Sequence, residues 1–264
     1  MRMASIASGS SGNATFIEAE NTSVLIDAGV SSRRLEKSIK ELGSEAQRLD
    51  AVFITHEHSD HIQGLKIFSK KYGIPVYASN GTIKALLETD IMKGMENLLL
   101  PLKAGNEIKI KDMTVSAFAI DHDANEPLAY RISSKDKKVA VATDMGHFDE
   151  NIVENLKYLD AVLIEANHDV RMLETGPYPY KLKRRILSDK GHLSNENAGR
   201  LLCSIVHNRL KKVFLGHLSK HNNYPQLAYE AVKCEMELLK GGIYADDLSI
   251  EVVSGDCLSC VAQI

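Results

Sequence analysis

Metal-binding side chains are concentrated in one short segment of the chain, directly after an apolar run. Residues 51–54 predict a buried strand, and the next seven residues, Thr55 to His61, read Thr-His-Glu-His-Ser-Asp-His. Imidazole and carboxylate groups are ligands that zinc and manganese take in proteins. Four such residues within six positions are costly to bury without a metal ion. The segment therefore predicts a metal centre at the end of a strand, and the alternative is a polar loop with chance histidines.

The spacing within this segment favours two ions rather than one. Alternate residues of an extended strand point to the same side, so His56 and His58 can converge on one ion. An amphipathic helix is predicted over about residues 61–72. Because the chain turns as it enters that helix, Asp60 and His61 can address a second ion nearby.

A two-ion site needs further ligands, and three candidates follow other predicted strands. They are His122, Asp144 and His217. A carboxylate at Asp144 could bridge both ions. Each residue alone could equally be a cap or a turn residue, but the context that the three share favours ligands.

The pattern of strands and helices predicts an α/β fold. A glycine-rich turn at residues 9–13 separates two strands, residues 107–142 predict four antiparallel strands, and the last third alternates helices with strands. No linker or low-complexity tract divides the chain. We therefore expect two sheets packed face to face with helices outside, a four-layer αββα sandwich formed by a single domain over residues 1–264.

Composition limits the classes of partner. Lys and Arg number 32 against 35 Asp and Glu, a net charge of −3, so any binding to nucleic acid depends on a local patch. No apolar run approaches the roughly 20 residues of a membrane helix, which predicts no membrane partner. The four cysteines are few for 264 residues and predict reduced thiols in the cytoplasm.

The motif at residues 56–61, together with Asp27 in a Leu-Ile-Asp-Ala-Gly turn, resembles the metallo-β-lactamase fold superfamily over roughly residues 8–219. The resemblance implies an αββα sandwich with a dinuclear site at one edge, where Asp27 supports the site without binding metal. It implies that one ion is held by His56, His58 and His122, and the other by Asp60, His61 and His217, with Asp144 between them.

Other segments resemble the phosphodiesterase and nuclease branch of that superfamily. They are Leu-Ile-Glu-Ala-Asn-His-Asp at 163–169 and two Gly-His-Leu-Ser segments at 191–194 and 216–219. In that branch an acidic residue and a histidine that match Glu165 and His192 act as a pair around the scissile phosphate.

The opening segment at 7–13, with residues 165–169 and 217–223, is most similar to the YycJ/WalJ (VicX-like) group of bacterial metallo-hydrolases. This resemblance implies a 5′→3′ exonuclease that acts on DNA, preferably single-stranded, with a role in repair. The chain departs from relatives that act on RNA: it is too short for an additional nuclease domain and has no Gly/Pro-rich arm. RNA stays open as a substrate.

A basic segment near His192 supports a polyanionic substrate. Five cations and one acid fall within ten residues, namely Lys181, Lys183, Arg184, Arg185 and Lys190 against Asp189. Cations bind phosphates, and the nearby Tyr178 and Tyr180 offer rings on which unpaired bases stack. We predict that Lys183, Arg184 and Arg185 bind substrate, although a solvated basic helix face is an equal interpretation. His168 either contacts substrate or orients Glu165.

These residues suggest a hydrolysis that depends on two divalent ions, Zn²⁺ or Mn²⁺. Asp60 would orient or deprotonate the attacking water, and His192, poised by Glu165, would protonate the leaving oxygen. A cyclic phosphodiesterase or thioester hydrolase on the same fold is one alternative, and a non-catalytic metal-binding signalling protein is another.

Overall fold

Strands form in this chain where short apolar runs are bounded by glycine or polar turn residues. The computed structural model describes residues 1–240 and 248–264. Its strands are β1 (Arg2–Ala7), β2 (Ala14–Glu18), β3 (Ser23–Ile26), β4 (Ala51–Phe53), β5 (Val76–Ala78), β6 (Leu99–Pro101), β7 (Glu107–Ile110), β8 (Met113–Ala119), β9 (Leu128–Ser134), β10 (Lys137–Ala142), β11 (Ala161–Glu165), β12 (Lys212–Gly216), β13 (Ser249–Val252) and β14 (Ala262–Gln263). Its helices are α1 (Ser32–Glu41), α2 (Ser59–Ile62), α3 (Leu65–Tyr72), α4 (Asn80–Glu88), α5 (Glu150–Leu156), α6 (Val170–Thr175), α7 (Tyr180–Ile186), α8 (Asn195–Ile205) and α9 (Pro225–Lys240).

These strands form two seven-stranded mixed sheets. The first has the spatial order β14-β1-β2-β3-β4-β5-β6 and is parallel from β3 to β6. The second has the order β13-β12-β11-β10-β9-β8-β7 and is parallel from β10 to β13. Strands β7 to β10 are antiparallel, as predicted for residues 107–142. Loops that follow parallel strands share one edge of a sheet, where α/β proteins usually place their sites.

Buried apolar side chains form three clusters that define the layers. Phe53 of the first sheet and Phe214 of the second share the central cluster. Phe68 on α3 packs with side chains of the first sheet, and Leu201 on α8 packs with side chains of the second. The order helices, sheet, sheet, helices confirms the αββα sandwich. Across the described residues, the longest helices are too short or too polar to span a membrane.

The helix predicted over residues 61–72 is interrupted in the structure, so that prediction is corrected. Helix α2 ends at Ile62 and α3 begins at Leu65. The amide N of Gly64 donates to the carbonyl of Ala28 instead of continuing the helix, at 2.8 Å. A Cβ at Gly64 would lie 2.1 Å from the carbonyl oxygen of Val30. The break is therefore set by close packing of the chain against the turn that follows β3.

One strand and one helix were not predicted from the sequence. Strand β6 at the edge of the first sheet contains only three residues, and one of them is Pro101. Helix α6 has six residues and is capped by the side chain of Asp169, which accepts from the amide N of Met172. Elements this short contain too little hydrophobic periodicity to be recognised.

Candidate metal centre

Five of the predicted ligands follow the carboxyl ends of strands. His56 and His58 follow β4, Asp144 follows β10 and His217 follows β12. His122 follows β8, which runs in the same direction as β10 because both are antiparallel to β9. The strand directions therefore bring loops from distant parts of the chain to one edge of the sandwich.

Three histidines form the first group of donor atoms. His58 Nδ1 lies 3.0 Å from His56 Nε2 and 3.3 Å from His122 Nε2. Two nitrogens bound to one zinc ion at 2.0–2.1 Å in a tetrahedron lie roughly 3.3–3.4 Å apart. The spacing of these nitrogens fits a shared ion.

A second group of donor atoms lies beside the first. Asp60 Oδ2 is 3.4 Å from His61 Nε2 and also 3.4 Å from His217 Nε2. The donor atoms of these three residues all lie within 4.8 Å of one another. A carboxylate with two imidazoles is a donor set suited to zinc or manganese.

Asp144 lies between the two groups. Its Oδ1 is 3.3 Å from His217 Nε2 and 3.9 Å from His122 Nε2, and its Oδ2 is 3.2 Å from His61 Nε2. The Oδ2 atom is buried, with His61 Nε2 as its near neighbour. A buried carboxylate that faces several histidine nitrogens in this way is stabilised when a cation completes its surroundings. The residues present therefore fit bound divalent metal ions, with Asp144 able to bridge them.

Electrostatics set the charge of three of these side chains. Burial alone would raise the pKa of Asp60, but hydrogen bonds from His217 and His61 lower it well below its usual value. Burial and the same two histidines act on Asp144, whose pKa is also lowered. Burial lowers the pKa of His56. The carboxylates are ionised and His56 is neutral, as metal binding requires.

The backbone is left-handed at three site residues other than glycine. Asp27, Asp144 and His217 have φ values of 62°, 60° and 56°. This conformation costs an L-residue roughly 1–2 kcal/mol. Hydrogen bonds hold the backbone of two of these residues. The amide N of His217 donates to Ser8 Oγ at 2.9 Å, and that of Asp27 donates to the carbonyl of Phe53 at 2.8 Å. Strain of this kind concentrates at functional sites.

Asp27 orients one of the histidines. Its Oδ2 lies 2.8 Å from His61 Nδ1, and its Oδ1 accepts from the amide N of Thr55 at 2.8 Å. Burial raises the pKa of Asp27, although His61 opposes the rise. Burial would lower the pKa of His61, but the carboxylates of Asp27 and Asp144 raise it well above 6.5. With Nδ1 engaged, His61 presents Nε2 to the centre.

Asn13 contacts the site, but the sequence analysis gave it no role beyond its place in a turn and in the segment that resembles the YycJ/WalJ group. Its Nδ2 lies 3.1 Å from Asp60 Oδ2, and its amide N donates to the carbonyl of Asp60 at 2.8 Å. The turn at Gly29 packs directly against this loop, where an added Cβ would lie 1.6 Å from the carbonyl oxygen of Asp60. The sequence signals were an amide side chain that ends a glycine-rich turn and the resemblance of residues 7–13 to the YycJ/WalJ group.

Glu165 and His192, predicted as a pair, are in contact. Glu165 Oε1 lies 2.7 Å from His192 Nδ1 and 2.9 Å from His217 Nδ1. Burial would raise the pKa of Glu165, but the two histidines lower it to about 2. An ionised carboxylate only accepts hydrogen bonds, so both rings carry hydrogen on Nδ1 and turn Nε2 away from Glu165.

A cavity of about 220 Å³, here called the metal cavity, opens onto these groups. Its wall includes Asp60, His192, Tyr178 and Arg185. Arg185 is fixed by a bidentate ion pair with Asp123, in which its Nη2 lies 2.8 Å from Oδ1. The structure therefore places one cation of the basic segment and one of the predicted aromatic rings beside the candidate ligands.

Three other predicted substrate-binding residues lie elsewhere. His168 is 1% exposed and is not among the residues that line the metal cavity, with Nδ1 3.3 Å from Asn167 Oδ1, so its contact with substrate stays a prediction. Lys183 and Arg184 are on α7 but outside the metal cavity wall. Lys183 Nζ donates to the carbonyl of Glu174 at 2.8 Å.

Comparison with known proteins shows the family to which the chain belongs. The family model described as the beta-lactamase superfamily domain matches residues 22–215. The chain is 37% identical over 242 residues to the exodeoxyribonuclease WalJ of Streptococcus pneumoniae, covering 91% of this chain and 90% of that protein. It is 36% identical over 232 residues to the exodeoxyribonuclease YycJ of Bacillus anthracis, covering 88% of each.

The fold is also similar to a solved structure. The metallo-beta-lactamase fold protein YhfI from Bacillus subtilis superposes with a TM-score of 0.73, covering 99% of each chain at 15% sequence identity. An identity this low establishes the likeness of the fold alone.

Proposed function

Because the chain belongs to the beta-lactamase superfamily, in the group of the WalJ and YycJ exodeoxyribonucleases, we propose that it is a 5′→3′ exodeoxyribonuclease. Its substrate would be DNA, preferably single-stranded, and its cellular role repair. The observation that carries the proposal is the convergence of seven ligand-type side chains beside a cavity that also contains His192 and Arg185.

The ligand set divides into two groups that share a carboxylate. The first ion would be held by His56, His58 and His122, and the second by Asp60, His61 and His217, with Asp144 between them. When bound, two zinc or manganese ions supply an acidified water and positive charge at the phosphate. Asp60, whose pKa is lowered, accepts a hydrogen bond from the attacking water and orients it.

The leaving oxygen takes its proton from His192. Because Glu165 binds Nδ1 of this ring, the opposite nitrogen is the one that addresses substrate. As the P–O bond breaks, its electron pair stays on the sugar oxygen, which takes the Nε2 proton of protonated His192. Glu165 acts as a positioning residue because its carboxylate contacts only protein groups.

The substrate chain would be held by the basic segment. Arg185 offers a fixed guanidinium to a phosphate in the metal cavity, and Tyr178 offers a ring to an unpaired base. We propose that Lys183 and Arg184 contact more distant phosphates of the same strand.

The proposed location is the cytoplasm. The four cysteines all lie in the described residues and are free thiols, which is consistent with a reducing compartment.

Digestion of single-stranded DNA tests this function. Oligonucleotides labelled at the 5′ or the 3′ end are incubated with the protein and manganese or zinc. We expect early release of a 5′-terminal mononucleotide, which Asp60→Ala abolishes. Asp136→Ala is the matched control, because that carboxylate is 73% exposed and remote from the centre.

Two other outcomes would contradict the proposal. Release from the 3′ end first would refute the polarity. Intact DNA with both metals, together with hydrolysis of a cyclic nucleotide, would replace the nuclease with a small-molecule phosphodiesterase.

A further inference from the structure

A second and larger cavity lies on the Asp60 side of the metal centre. This groove has a volume of about 550 Å³ and is bordered by α2, α3 and the segment after α4. Ser10 and Asp60 line both the groove and the metal cavity. The two cavities therefore adjoin at these two side chains, next to the metal centre.

The groove contains one strongly exposed apolar side chain, Ile67. Ile67 is 64% exposed, whereas its neighbours on α3, Leu65 and Phe68, are fully buried. Ile91 lines the same groove and packs partly buried against the core of the first sheet, and the buried Ile62 lies at its floor. An exposed apolar surface beside a polar catalytic centre indicates a site for an apolar or aromatic group.

The charges of the groove disfavour a phosphate site. Apart from the candidate metal ligand Asp60, Glu57 and Asp90 contribute two carboxylates against the ammonium of Lys66. Lys66 Nζ also donates to the carbonyl of Asp90 at 3.2 Å. The metal cavity offers Arg185 instead. The two cavities thus divide into a side that attracts phosphate and a side that accepts an uncharged ring.

We propose that this groove binds an unpaired nucleobase of the nucleotide adjoining the scissile phosphate, an inference that rests on the proposed exonuclease function. Aliphatic side chains of Ile67 and Ile91 contact the face of the base, and the carboxylates at the rim accept hydrogen bonds from its amino groups. A paired base is stacked in the duplex and cannot enter. The groove thereby supplies a physical reason for a preference for single-stranded ends.

The test combines a groove variant with substrates that lack one base. Ile67→Asn removes the apolar contact without adding charge, and the exposure of Ile67 makes the substitution tolerable to the fold. Leu238→Asn is the matched control, because Leu238 is 74% exposed on α9 and lies outside the groove. Steady-state digestion is measured on intact single strands and on strands with an abasic analogue at the first or the second position from the 5′ end.

For intact DNA we expect Ile67→Asn to raise KM about fivefold, with a smaller change in kcat, because stacking contacts add substrate affinity. With the abasic analogue at one of the two positions, wild type and Ile67→Asn should have equal KM values. Leu238→Asn should match wild type on every substrate.

Each failure has a separate meaning. If wild type leaves intact DNA undegraded, the exonuclease function fails. If wild type degrades DNA and Ile67→Asn has the same KM, the subsite is refuted while the exonuclease stands. An equal rise in KM on the intact strand and on both abasic strands would also refute a base in the groove and indicate another partner for this surface.

Discussion

Oε1 of Glu165 lies 2.7 Å from Nδ1 of His192, and the carboxylate is completely buried. Its other oxygen accepts from the amide N of Met145 at 3.1 Å and of Leu193 at 3.3 Å. The carboxylate is therefore fixed by backbone groups from two loops, so it can determine which nitrogen of His192 faces the cavity.

We expect Glu165→Gln to lower kcat about 100-fold, because a neutral amide no longer fixes the ring or stabilises its protonated form. His192→Ala should cost a similar factor. If the two residues act as a unit, the double variant will lose little more than His192→Ala alone. The measurement is kcat for single-stranded DNA at saturating substrate.

The metal content of each variant is the control, because Glu165 also contacts His217. Losses of kcat that multiply in the double variant, with full metal content, would contradict a shared role.

The convergence of the candidate ligands could be predicted from the sequence because strand direction places most of them. His122, Asp144 and His217 each end a strand that points toward one edge, so a linear pattern sufficed. The supporting residues were not predictable in that way. Asn13 reaches Asp60 across 47 positions, and its role depends on how two turns pack.

The burial of His168 and the ion pair of Arg185 could not be predicted from the sequence either. His168 lies in a segment rich in site residues, yet tertiary packing covers its side chain. Asp123 pairs with Arg185 across 62 positions, a contact that only the approach of the β8–β9 loop to α7 creates. Local periodicity contains no information about such contacts.

Arg185→Ala should weaken binding of single-stranded DNA about fivefold and lower the slope of log affinity against log salt by about 0.7, the value for one lost phosphate contact. The reason is that Asp123 fixes the guanidinium in the wall of the metal cavity. Lys183→Ala should have a smaller effect on affinity at low salt, because Lys183 lies outside that wall. Fluorescence anisotropy over a range of salt concentrations measures the affinity and its salt dependence for both variants. Equal losses of affinity in the two variants would contradict a phosphate contact made by Arg185 in the metal cavity.

His168 should make stability depend on pH. Burial lowers the pKa of His168 to about 4, from its ordinary value of 6.5 in the unfolded chain. The unfolded state therefore binds the proton more tightly than the folded state. The contribution of His168 to the free energy of unfolding is complete above pH 6.5 and is lost as the pH decreases toward 4. The contribution lost is about 3 kcal/mol.

Denaturant unfolding of the chelator-treated protein across this pH window tests the expectation. The difference between wild type and His168→Gln should shrink or reverse as the pH falls, because the variant lacks the titrating group. His221→Gln is the matched control, since His221 is exposed. A difference between wild type and His168→Gln that is constant with pH would contradict the assignment.

Gly29→Ala should damage the centre through the backbone alone. The new Cβ would lie 1.6 Å from the carbonyl oxygen of Asp60 and 2.6 Å from the amide N of Asn13, and neither backbone atom can rotate away. We expect a loss of about 3 kcal/mol in the free energy of unfolding, at the upper end for overpacking. We also expect weaker metal binding, because the displaced loop contains Asp60 and His61.

Gly43→Ala provides the comparison. A Cβ at Gly43 would meet nothing within 4 Å, so the substitution costs only the left-handed backbone conformation at φ +74°, about 1 kcal/mol. Denaturant midpoints and metal content per chain should therefore separate the two alanine variants, with Gly43→Ala keeping full metal content. Equal midpoints and equal metal content would mean that the turn at Gly29 does not position Asp60.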